Sequence, residues 1–128
     1  MQKETFSITN ETKSTLPSVP FEKIKDSALG KSYSLSLVFI TKATSRKLNR
    51  SYRDKDYPTN ILSFELDKKN GEIFITPDVA KKEAKNFGRT YENFIAFLFI
   101  HGLMHLKGME HGAIMDKAEA KLRKQFRV

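Results

Sequence analysis

A chain of 128 residues with 23 basic and 15 acidic side chains, a formal charge of +8, is long enough for one domain with its own core. The absence of cysteine excludes a disulfide frame and thiolate metal sites, and it fits a reducing cytoplasm. Met1–Ser14 lacks the apolar centre of a signal peptide, and the longest apolar run, Phe94–Ile100, is too short to span a bilayer, so a soluble cytoplasmic protein is expected.

In chain order, Phe6-Ser-Ile-Thr alternates and predicts a short strand. Pro17–Pro20 marks a turn, after which Phe21–Leu29 predicts a helix closed by Gly30, with Phe21, Ile24, Ala28 and Leu29 inward. Leu35–Thr41 predicts a mostly buried strand. Thr44 reads as the cap of a helix running to about Arg53, with Leu48 and Tyr52 on its inner face. That helix is strongly basic. Between Lys42 and Lys55 the single acid is Asp54, set against Lys42, Arg46, Lys47, Arg50, Arg53 and Lys55, with Tyr52 and Tyr57 nearby. Lysine-rich solvated faces are common, but a cluster mixed with aromatics fits a nucleic-acid backbone better than an even coat of charge. Lys42, Arg46, Lys47, Arg50 and Arg53 are the candidate nucleic-acid-binding residues.

The turn-rich Asp56–Asn60 leads into two strands, Ile61–Leu66 and Glu72–Thr76, read as an antiparallel pair whose turn signal is Asn70-Gly71. Thr76-Pro77 supplies an N-cap and a proline at the first helical position, for a helix ending near Gly88. From about Thr90 a long helix is apolar nearly all round and should run through the centre of the domain. Phe94, Leu98, His101 and His105 share one stripe of it. Ile114–Phe126 predicts a closing amphipathic helix, with Met115, Ala118, Leu122 and Phe126 inward and Lys117, Lys121 and Lys124 outward. No repeat or linker interrupts this order, which predicts one α+β domain over residues 1–128.

All three histidines of the chain fall at His101, His105 and His111. Positions four apart project from one face of a helix, close enough to grip one ion. Gly108 can take the positive φ that turns the chain so that His111 approaches the same ion. Random placement of three histidines would give this order and spacing in about one chain in 3,000, so an accidental match is the weaker account. Three imidazoles on a tetrahedral ion leave a position for water, the layout of a catalytic zinc. The spacing is that of the metzincin peptidases, HExxHxxGxxH, but Gly102 stands where they carry the general base. Peptide hydrolysis is therefore not expected.

Three segments together resemble the YbeY endoribonucleases. They are Leu48-Asn-Arg-Ser-Tyr-Arg-Asp-Lys-Asp-Tyr-Pro-Thr-Asn-Ile-Leu-Ser-Phe64, then Gly71-Glu-Ile-Phe-Ile75, then His101-Gly-Leu-Met-His-Leu-Lys-Gly-Met-Glu-His111. The likeness runs from about Thr41 to the C-terminus. It implies a bacterial, metal-dependent, single-strand-specific endoribonuclease active in ribosomal RNA maturation and ribosome quality control. It also implies a small sheet, mostly parallel with one antiparallel strand, packed against helices. On the matching positions it makes His101, His105 and His111 the metal ligands, with Zn2+ the expected ion, and Arg53 a functional residue of the cleft. Members usually place an aromatic residue and an aspartate before the third histidine, where this chain has Met109 and Glu110.

Arg53 offers a planar fork suited to phosphate, and Glu110 a carboxylate that can relay a proton or orient a histidine. Two other classes remain open on the residues alone. One is a metal-dependent hydrolase of another substrate, which a peptide panel would reveal. The other is a ribosome-binding factor with a structural zinc, which would bind RNA without cutting it.

Overall fold

The computed structural model describes residues 5–128, so the first four residues of the Met1–Ser14 stretch lie outside the described residues. Four strands form one sheet: β1 (Phe6–Asn10), β2 (Ser34–Phe39), β3 (Ile61–Asp67) and β4 (Asn70–Ile75), in the order β1-β2-β4-β3. β1 pairs with β2 and β2 with β4 in parallel, and the β3–β4 pair is antiparallel. The mixed, mostly parallel sheet expected from the resemblance is the one observed. Five helices accompany it: α1 (Phe21–Leu29), α2 (Lys42–Arg53), α3 (Pro77–Asn86), α4 (Tyr91–Leu106) and α5 (Ala113–Phe126).

α4 is the centre of the molecule, as its apolar circumference requires. It packs on α1, α3, α5, β3 and β4, and Ile95, Phe99, Ile100 and Leu103 are fully buried. Thr90 caps it, its side chain accepting from the Asn93 amide at 3.1 Å. Phe21 from α1 meets Phe99 edge-on at 5.1 Å, and Met115 and Leu122 bring the inner face of α5 into the same core. Gly102 lies where α4 crosses β3. A Cβ there would come 2.8 Å from Ile61 Cδ1 and 2.9 Å from Ser63 Oγ, so the glycine sets the depth at which the histidine-bearing turn sits on the sheet.

Three local expectations are corrected. The cap of α2 is Thr41, not Thr44. A cap needs extended backbone, which Thr41 has at φ −77°, ψ 164°, and its hydroxyl accepts from the Thr44 amide at 3.3 Å. The inward face of α2 is Ser45 and Asn49, not Leu48 and Tyr52; Leu48 is half-buried and Tyr52 is 68% exposed. The physical reason is what α2 rests on. It docks on the loop after it, whose backbone groups need partners: Ser45 Oγ donates to the Thr59 carbonyl and accepts from its amide, and Asn49 Nδ2 donates to the Tyr57 carbonyl. Finally, the β3–β4 turn is Lys68-Lys69, with Asn70 and Gly71 already in β4. Asp67 organises it by accepting from the Lys69 amide and from Asn70 Nδ2. Gly71 serves close packing instead of turning, since a Cβ there would fall 2.4 Å from the Tyr33 hydroxyl and 3.0 Å from a Leu106 methyl.

Candidate metal centre and its cleft

The last two turns of α4 place His101 and His105 side by side, with Nε2 atoms 3.0 Å apart. The chain then turns sharply. Gly108 adopts φ +87°, and the Gly108 and Met109 amides donate to the carbonyls of His105 and Met104. His111 thereby returns over the same spot, its ring centroid 5.4 Å from that of His101 and 4.9 Å from that of His105. One nitrogen from each imidazole can be chosen so that all three lie within 4.8 Å of one another. A tetrahedral ion with bonds of about 2.0–2.1 Å asks for nitrogens about 3.3 Å apart, so small side-chain adjustments bring the triangle to a ligand set.

The chemistry of the donors fits the same purpose. His101 Nδ1 sits 2.5 Å from Glu119 Oε1, on the buried face of α5. With Nδ1–H donating to that carboxylate, Nε2 carries the free lone pair and faces the cleft. Glu119 is itself held by Arg123, whose Nη1 donates to Oε2 at 3.3 Å. Burial pushes the His105 imidazole below its ordinary pKa. His101, His111 and Arg53 add to that shift and Glu119 opposes it, and the net direction favours the neutral imidazole that a cation needs.

These groups open into a cleft of about 730 Å³. Arg53, Asn60, Ser63 and Phe64 from the α2 end and β3 line one side, with Phe87, Phe94, Phe97 and Leu98 from the α3 end and α4. Asn60 Nδ2 donates to Glu83 Oε1 at 2.7 Å, joining the start of β3 to α3. Arg53 is the last residue of α2; Asp54 ends the helix in the left-handed region at φ 55°. The structure therefore brings Arg53 and the three histidines to one cavity.

Other nominated residues are placed differently. Glu110 is exposed on the turn and does not line the cleft, and the carboxylate in hydrogen-bond contact with His101 is that of Glu119. Met109 is half-buried against the core and also lies outside the cleft lining. Lys42, Arg46, Lys47 and Arg50 are exposed along α2, outside the cleft. Arg46 is engaged: Nε and Nη2 donate to the two oxygens of Asp56 at 2.8 and 3.1 Å, and that bond holds the Asp56 carboxyl below its usual range. Glu119 was missed because i, i+4 spacing to Arg123 on an amphipathic helix reads as a surface pair. Its distance of eighteen residues from His101 carries no local pattern.

The sequence profile of the family described as Endoribonuclease YbeY matches residues 1–127. A relative called Endoribonuclease YbeY from Staphylococcus carnosus strain TM300 is 36% identical over 112 residues, covering 78% of this chain and 68% of the relative. The protein of that name from Staphylococcus aureus strain JH9 is 35% identical over 112 residues, with 77% and 69% covered. In three dimensions, the solution structure of a Thermotoga maritima protein aligns with 95% of this chain and 91% of its own, at a TM-score of 0.65 and 23% identity, a likeness of fold.

Proposed function

Because the chain belongs to the Endoribonuclease YbeY family and is an enzyme that cuts RNA, we propose that it is a zinc-dependent, single-strand-specific endoribonuclease. In this reading it acts in the cytoplasm on ribosomal RNA, at the 3′ end of the small-subunit species, and in ribosome quality control. One observation carries the site assignment: three imidazoles converge in a cleft that also receives an arginine.

His101, His105 and His111 would hold the ion, which when bound supplies Lewis acidity toward a phosphate oxygen or a water. The remaining work falls to the chain itself. Glu119 fixes the ring orientation and tautomer of His101. Arg53 presents a two-pronged donor to the phosphate and to the charge that grows on its oxygens. Half-buried His101 and His105 and their apolar neighbours keep bulk water from screening that charge from the α4 side, while His111 stands exposed at the rim. The arrangement serves attack by water or by the neighbouring 2′-hydroxyl. Gly102 argues against a peptidase, for it carries no base, and β3 fills the space into which a side chain would grow.

The test is incubation of metal-replete protein with single-stranded and duplex RNA, with mapping of the cut ends. Chelator-sensitive internal cuts confined to unpaired segments are expected. RNA binding without cleavage at full metal occupancy would overturn the catalytic reading in favour of a structural ion, and chelator-sensitive peptide hydrolysis would overturn the substrate assignment.

A further inference from the structure

Three phenyl rings form a column along one wall of the cleft. Phe87, just past the end of α3, stacks on Phe94 with centroids 5.3 Å apart and planes inclined by 23°. Phe94 stacks in turn on Phe97, at 5.9 Å and 15°. All three line the cavity that holds the histidines. Their exposure is graded: Phe94 is buried, Phe97 half-buried, and Phe87 is 60% exposed. Phe87 is not a loose tip, because its amide donates to the carbonyls of Glu83 and Ala84 at 3.2 Å. With Phe94 on one face of its ring, the other face is turned to solvent inside a functional cleft.

Three guanidinium groups stand around the column, while the two carboxylates of the cavity are engaged, Glu83 by Asn60 and Glu119 by His101 and Arg123. The Arg89 guanidinium lies over Phe97 at 4.4 Å and donates to Asn93, and the Arg123 guanidinium lies over the same ring at 5.5 Å. Arg53 lines the same cavity. An apolar ligand would gain nothing from this charge, whereas a base arrives attached to a phosphate. Phe94 precedes His101 by seven residues, about 10.5 Å along the helix axis. Phe87 lies one ring farther out, 5.3 Å from Phe94, so the span to the histidines is at most about 16 Å, or about five nucleotides at a stacked rise of 3.4 Å and fewer for an extended strand.

We propose that the outer face of Phe87 is a stacking platform for one unpaired nucleobase of the RNA substrate, within about five nucleotides of the phosphate at the histidines. The proposal deepens the endoribonuclease reading and rests on it. Phenylalanine offers a π face and no hydrogen-bonding group, so the platform accepts any base. A base inside a duplex already has both faces covered by its neighbours, so the platform selects single strands without reading their sequence.

The experiment is single-turnover cleavage of a short single-stranded oligoribonucleotide by the metal-loaded enzyme across enzyme concentrations, giving half-saturation and maximal rate separately. Phe87→Ala should raise the half-saturation concentration roughly 5- to 150-fold, the range for losing one base–aromatic stack, with a smaller effect on maximal rate. Phe87→Trp should restore it. Leu66→Ala removes an equally exposed apolar side chain outside the cleft and should change neither quantity. Scanning one abasic nucleotide through the substrate should find a single position, within about five of the cut, that weakens the parent and adds nothing in Phe87→Ala. Cleavage with unchanged half-saturation in Phe87→Ala, or an abasic penalty that persists in it, overturns the platform and leaves the endoribonuclease reading standing. Neither binding nor cleavage by the parent overturns both.

Discussion

Of the sixteen residues of α4 ten are buried, and of the twelve of α2 only Ser45 and Asn49 are. Both helices serve the same cleft. α4 is wedged among three helices and two strands, and its histidines emerge from an apolar frame that leaves them few rotamers. α2 rests on its own following loop through two polar side chains and shows its charges to solvent. The contrast matches the tolerance of each task. Ligands to one ion need geometry good to a fraction of an ångström, which close packing supplies. Attraction of a polyanion needs charge and reach, and flexible side chains on an exposed helix give both.

If that division is right, damage at the α4 end is all-or-none and damage along α2 is graded. The largest effect is expected from His105→Ala, which should abolish metal retention and cleavage together. Elemental analysis showing a full complement of zinc in that variant would remove His105 from the ligand set. Next in size is Arg53, the residue through which α2 enters the cavity. Arg53→Ala should slow single-turnover cleavage by about 100-fold or more at equal zinc occupancy, by analogy with losing an oxyanion donor. Arg53→Lys should recover little, since it keeps the charge and loses the fork. Unchanged rates in both variants would make Arg53 a surface arginine and leave α2 with no share in the chemistry.

Glu119 sharpens the comparison from the other side, because it reaches the histidine cluster from α5 through its bond to His101. Glu119→Gln keeps the size and one acceptor oxygen while removing the charge that favours Nδ1–H on His101. Metal affinity should fall about 10- to 100-fold, read by titration against a competing chelator, with activity recovered at high metal concentration. Equal affinity in the two proteins would mean that packing alone orients His101.

How far the sequence could be read follows the same line. The apolar periodicity of α4, the Thr76-Pro77 start of α3 and the strand alternation are local patterns, and each element appears within a few residues of its expected place. The histidine triad was legible because its spacing is local too. What escaped were contacts set by docking. Ser45 and Asn49 face inward because the loop at Tyr57–Thr59 offers backbone groups to satisfy, and hydrophobic periodicity cannot register a polar interface. The Asn70-Gly71 signal is a real turn preference that lost to the Gly71 contact with Tyr33 and Leu106. Glu119 and Phe87 reach the cleft from helices whose approach to His101 and Phe94 is a tertiary fact.

The smallest effects should come from the outer charges of α2, and here the structure separates residues that look equivalent in sequence. Each phosphate contact on a single strand contributes about −0.7 to the slope of log affinity against log salt. The Lys47→Glu, Arg50→Glu double variant should therefore bind single-stranded RNA more weakly and flatten the slope by about 1.4 if both residues meet phosphates. Arg46 differs because its fork is already spent on both oxygens of Asp56. Arg46→Ala removes one charge, as Arg50→Ala does, so long-range attraction falls equally in the two variants. Only Arg50→Ala should also lose a direct contact and flatten the slope. Asp56→Asn releases Arg46 and should steepen the slope by up to about 0.7. Equal slopes for Arg46→Ala and Arg50→Ala, with no response to Asp56→Asn, would mean that α2 acts through net charge alone and that its individual side chains are interchangeable.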